Sequence, residues 1–171
     1  MACSLTKGRL DFSCKTLVGG ISNIYVAAFD AGNFSAITAQ KVTITALTSL
    51  YQFELLNDGN TFDESNEVAK DAGTSTFTQT GTFVLKGQDA LSQPKLEELS
   101  KAKTQVIVEY RDGSMRLAGL EFGVDFTVGT TSGGAIGDMN GYNVAFTGMA
   151  TSLAPFMEVL IPATIAAETV D

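Results

Sequence analysis

Between Thr104 and Gly148 apolar and polar residues alternate, and the alternation changes parity across the turn at Asp112-Gly113 and again at Gly119; no other feature restricts the possible folds as much. Asp112-Gly113 separates two runs of β-forming residues and reads as a two-residue type I′ turn. With that turn Arg111 faces Ser114, Tyr110 faces Met115, Glu109 faces Arg116 and Val108 faces Leu117. One face of the hairpin then carries Val106, Val108, Tyr110, Met115 and Leu117, and the other a Glu109–Arg116 cross-strand charge pair. Beyond Gly119 the apolar positions become even: Leu120, Phe122, Val124, Phe126 and Val128. A strand turns its inward face over only at a bulge or bend, and Gly119 tolerates one. After a loop from Gly129 to Gly141 the alternation resumes with Tyr142, Val144 and Phe146. The expected class is all-β, a mainly antiparallel β-sandwich or barrel built as a meander on one core.

The rest of the chain fits around this stretch as one domain, residues 1–171, with an irregular lead-in over 1–20 and a loose tail over 163–171. Ile21 to Phe29 is a strand with apolar residues on both parities, so both faces need cover, from a second layer or a neighbouring subunit. Lys41–Leu47, Leu50–Leu56 and Phe156–Ile161 are further strands. Thr74 to Leu85 is a long one, with Phe77, Phe83 and Leu85 on one face and Thr76, Thr78, Thr80 and Thr82 on the other. That threonine row suits water or a polar channel, and Gly81 within the apolar stripe signals a bulge or a close backbone approach. Leu91 to Lys103 is the one clear helix, flanking the sheets. Pro94 lies in its first turn, Glu97 and Glu98 toward its N-terminus and Lys101 and Lys103 at its end, while Leu96, Leu99 and Ala102 form a stripe that packs on the core. Asn57 to Gly73 is acidic and aperiodic and reads as a solvated or assembly loop. Its oxygens at Asp58, Asn60, Asp63 and Glu64 do not follow EF-hand spacing, so no metal or other cofactor is expected there.

Chemistry is restricted by what is missing. There is no histidine among the 171 residues, which removes most acid–base, triad and metal-ligand schemes. Cys3 and Cys14 fit neither a CxxC nor a zinc pattern and are expected reduced, as in a protein made in a cytoplasm. Neither a nucleophile elbow nor a phosphate-binding glycine loop occurs, and the chain is expected not to be an enzyme. The formal charge of −8, without a basic cluster, disfavours attractive contact with phosphate backbones. The opening MACSLTKGRLDFSC lacks the apolar core of a signal peptide, and no later stretch reaches transmembrane length, so no membrane partner is expected. Only 18% of residues are charged, which points to a surface shared with neighbours.

The order of elements from Val106–Glu109 through Asp112-Gly113, Leu117–Gly123, Ser132-Gly133-Gly134 and Asp138-Met139-Asn140-Gly141-Tyr142-Asn143-Val144 resembles the tail tube (major tail) proteins of tailed bacteriophages. The opening Gly19-Gly20-Ile21, with Ile24-Tyr25-Val26, is similar to small phage structural proteins. The resemblance implies a virion protein of the tail, made in the host bacterial cytoplasm. Six copies would form a ring, rings would stack with one another and with other virion proteins, and DNA would pass the lumen without specific binding. Asp58, Phe62, Asp63, Glu64 and Val68 of the acidic loop, and Thr76, Thr78, Thr80 and Thr82, are then the candidate assembly residues. A capsid decoration or head–tail connector protein and a small-ligand-binding β-barrel are the alternative readings.

Overall fold

From Phe77 to Leu85 every second residue turns inward, and the threonines between them turn outward. The computed structural model describes residues 18–47, 49–55 and 59–158 and the backbone of 166–168. Its strands are β1 (Ile21–Ala28), β2 (Lys41–Val42), β3 (Ser49–Glu54), β4 (Thr61–Ala69), β5 (Thr74–Lys86), β6 (Thr104–Tyr110), β7 (Met115–Ala118), β8 (Val124–Thr131), β9 (Gly141–Ala150), β10 (Phe156–Met157) and β11 (Ala166–Glu168), with one helix, α1 (Ser92–Leu99). The class is all-β with one flanking helix, as expected. The sheet runs β11-β3-β1-β6-β8-β9-β5-β4 and curls into a half-barrel. Its pairs are antiparallel except β2–β10 and β3–β11.

The parity switch at Gly119 is the place where this sheet forks. Gly119 has φ +75°, a Cβ there would meet the carbonyl carbon of Gly123 at 2.9 Å, and the Gly123 N–H donates to Gly119 O at 3.0 Å. β7 lies along one part of β6 and leads to β10 and β2, whereas β8 meets β6 only at Thr104 and leads to β9. The two branches give β1 and β6 a cover on each side, so the described residues form two cores rather than the single one expected. Ile24, Val26, Val106 and Val108 pack with Phe83, Phe126, Phe146 and α1 residues Leu96 and Leu99. Ala27 and Ile107 pack on the opposite side with Phe34, Val42, Leu50, Met115 and Leu117. The two apolar faces of β1 are therefore satisfied within the chain and need no neighbouring subunit.

Several local expectations are corrected. The hairpin after β6 has a three-residue turn, Arg111-Asp112-Gly113, closed by Tyr110 N–H to Ser114 O at 2.9 Å, with Gly113 at φ +83°. Glu109 accordingly faces Met115 and Val108 faces Arg116. The one-residue shift moves Arg116 to the side of Val108, away from Glu109, because side chains alternate with period two. Glu109 instead accepts from Asn23 Nδ2 at 2.7 Å and Tyr25 Oη at 3.0 Å. Phe122 falls in the 119–123 corner and is exposed, not on an inward face. The predicted strand Lys41–Leu47 is reduced to Lys41–Val42, and the predicted loop from Gly129 shrinks to 132–140 as β8 reaches Thr131.

The helix stops at Leu99, so Glu97 and Glu98 lie in its last turn and Lys101 and Lys103 beyond it. The dipole argument therefore fails. Asp89 caps instead, its Oδ1 accepting from the Leu91 and Ser92 N–H groups at 2.8 and 2.7 Å. The Ser92 hydroxyl first, and then those backbone bonds, hold its carboxyl below the usual carboxylate range. Leu96 and Leu99 pack on the core as expected, while Ala102 is exposed. In the tail, Ala166–Glu168 pairs in parallel with β3. The lead-in residues 1–17, with Cys3 and Cys14, lie outside the described residues, as do 159–165 and 169–171.

The uncovered face of β4, β5, β9 and β8

The expected acidic loop is largely a strand. β4 pairs with β5 along its whole length, Thr61 opposite Thr82 through Ala69 opposite Thr74. Its sequence alternates, but between polar residues on both parities, so periodicity gives no apolar stripe. The pairing separates the candidate assembly residues. Asp63 and Thr61 face outward, Phe62 and Glu64 inward, and Val68 is exposed near the hairpin tip. Asp58 lies outside the described residues.

The outward face has a regular chemistry. Asp63 of β4, Thr80 of β5, Thr147 of β9 and Asp125 of β8 follow one another across four strands, and Thr61, Thr82, Ala145 and Thr127 form the neighbouring row. Ser65–Thr78–Met149 and Glu67–Thr76 continue it toward the hairpin tip. The Thr61 and Thr82 hydroxyls lie 3.0 Å apart, and the Thr80 hydroxyl donates to Asp63 O at 3.3 Å. Charged residues at the outward positions are Asp63, Glu67 and Asp125, with Lys86 at the far end of β5. The carboxylates repel a polyanion, and the neutral hydroxyls between them offer no counterion-releasing contact. Among the described residues no strand pairs with the outer edge of β4.

The inner face of the same hairpin carries a contact that the sequence reading missed. The Glu64 side chain is 5% exposed and pairs with Arg116 of β7 at 2.8 Å. Its Oε1 accepts from the Ala154 N–H at 2.6 Å and from Gln79 Nε2 at 3.3 Å. Arg116 donates in turn to Ala154 O at 3.0 and 3.2 Å, and Gln79 Oε1 accepts from the Gly119 N–H at 2.9 Å. The available signal was parity, since Glu64 shares that of Phe62. Its partner lies 52 positions away and cannot be read locally.

A third feature is an open groove of about 670 Å³ between α1 and the strands, floored by Phe53, Leu85, Leu96 and Tyr142 and rimmed by exposed Glu54 and Lys95. Among the described residues no group of three or more carboxylates or cysteines is gathered as metal ligands. Asp63 and Glu64 point to opposite faces, and Asn60 Oδ1 accepts from the Val84 N–H at 3.1 Å. No described helix is long and apolar enough to cross a membrane. Comparison with protein-family profiles, curated proteins and solved structures finds no match to this chain.

Proposed function

We propose that this chain is a structural subunit of a bacteriophage tail tube, assembling with copies of itself into stacked, six-membered rings that conduct DNA during ejection. The observation supporting this reading is the combination at one end of the sheet: among the described residues no strand pairs with the outer edge of β4, and beside it the outward face is short-chained, hydroxylated and acidic. An exposed edge is a template for strand pairing between copies. A face of threonines and carboxylates suits a lumen through which a polyanion slides without sticking. Asp63, Thr76, Thr78, Thr80 and Thr82 would then line or border that lumen, and Val68 would meet a neighbouring copy. Negative-stain electron microscopy of the purified protein tests the reading. Hollow rods or rings are the expected result, and a monomer at every concentration would overturn it.

The groove beneath α1 favours a second reading, a barrel that binds a small ligand, since its volume lies in the range of such sites. A ligand barrel stays monomeric on size-exclusion chromatography, whereas a tube subunit does not.

A further inference from the structure

The inward side of the β4–β5 hairpin is held in two different ways along its length. Toward Thr61 the contact is apolar: Phe62 packs on Phe146, and Phe83 is fully buried. Toward the tip it is polar, through Glu64 and Gln79. β9 ends at Ala150 opposite Phe77, so the pairs from Glu67–Thr76 to Ala69–Thr74 form a two-stranded ribbon alone among the described residues. Such a ribbon has little stability of its own. Arg116 and the Ala154 N–H together make a receptor for one carboxylate, with the Phe156 ring 5.1 Å from the guanidinium, and Glu64 fills it.

We propose that the tip half of the β4–β5 hairpin is a latched flap, held shut by Glu64 in the Arg116–Ala154 carboxylate receptor and able to open without unfolding the two cores. The latch ties the β4–β5 hairpin to two stretches remote in sequence, β7 and the 151–155 segment, and both ties run through the one side chain of Glu64. Removing Arg116 leaves the Glu64 carboxylate, 5% exposed, without its countercharge, which makes the latch sensitive to a single substitution. The apolar half near Phe62 and Phe146 keeps its packing, and that confines the opening to the tip. The inference holds for a single copy and does not depend on the assembly proposed above.

Hydrogen exchange on the full chain tests it, using Glu64→Gln and Arg116→Met. Both are expected to raise exchange at 64–68 and 75–80 by about 100-fold while β1 and β6 keep their protection. Glu64→Ala empties the receptor, and formate is then expected to restore protection saturably, beyond an equal concentration of chloride. The double variant Glu64→Ala/Arg116→Met should not respond. Unchanged exchange in both single variants, loss of protection in β1 and β6 equal to that in the hairpin, or equal effects of formate and chloride would each overturn the latch.

Discussion

Phe62 and Phe146 stack across a glycine, their ring centroids 5.9 Å apart and their planes at 27°. Phe62 lies on β4 and Phe146 on β9, and Gly81 of β5 stands between them, paired with both. A Cβ at Gly81 would come within 2.3 Å of the Phe146 ring. The absent side chain is what lets two aromatic rings cover the middle strand and meet. Phe62 thus has a packing role within one subunit, which removes the reason to assign it to a contact between copies.

Gly81→Ala should therefore overpack the core. Phe146 also packs against Phe126 at 5.5 Å, so its ring has little room to withdraw. The expected loss is about 1–3 kcal/mol in urea unfolding. Gly137→Ala, where a Cβ would meet nothing within 4 Å, should stay within about 0.5 kcal/mol. Equal midpoints for the two variants would contradict the close approach.

The three-residue turn makes Gly113 a left-handed position, with φ +83°. Gly113→Ala should cost about 1–2 kcal/mol and Gly113→Asn less, because asparagine tolerates that region. In the wild-type protein, cross-strand NOEs should join Glu109 to Met115 and Val108 to Arg116. An NOE pairing Glu109 directly with Arg116 would restore the two-residue turn.

Tyr25 carries an alkaline signature. Burial, together with its hydrogen bond to the Glu109 carboxylate, pushes its phenol up from 10.0 to about 12. The folded state thus favours the protonated phenol. Its contribution to stability is fully present below pH 10 and is lost as pH rises through about 12. Unfolding midpoints should fall over that window and fall less steeply in Tyr25→Phe. A residual slope is expected from Tyr110, whose phenol burial also raises. Identical slopes in wild type and variant would refute the assignment.

Thr78→Lys with Thr80→Lys separates folding from assembly. Both threonines are half-buried on the outward face of β5, where a long lysine side chain can carry its ammonium into water. Each change should alter stability by no more than about 0.5 kcal/mol. The rod or ring formation proposed above should be lost in the double variant under conditions where the unaltered chain assembles, and equal assembly of the two would place the face elsewhere.

Asp138 organises the 132–140 loop through its carboxylate, which accepts from the Gly134 and Ala135 N–H groups at 2.8 Å each. Those two bonds lower its pKa below the ordinary 3.8. Their contribution is present above 3.8 and disappears as pH falls through the lower folded value. In NMR titration the Gly134 and Ala135 amides should shift together in that acid range and lose the response in Asp138→Asn.

Alternation alone determined a good deal: the all-β class, the inward set Tyr142, Val144 and Phe146, the two faces of β5 and the bend at Gly119. Each of these depends on neighbours in the chain and on the period of two, which the sequence displays. The turn at Asp112-Gly113 shows where that legibility ends, because the same residues serve a two-residue and a three-residue loop. What selected the longer loop was the need of Val108, Ala118 and Arg116 to share one face and of Ile107, Met115 and Leu117 to share the other. β4 was hidden for a related reason. An edge strand with one face in water and a charged residue turned inward has no apolar stripe to betray it. Glu64 is tolerated inside only because Arg116 and the Ala154 N–H, both distant in sequence, converge on it. That convergence belongs to the tertiary structure, since the free energy of a buried charge is set by what surrounds it in space.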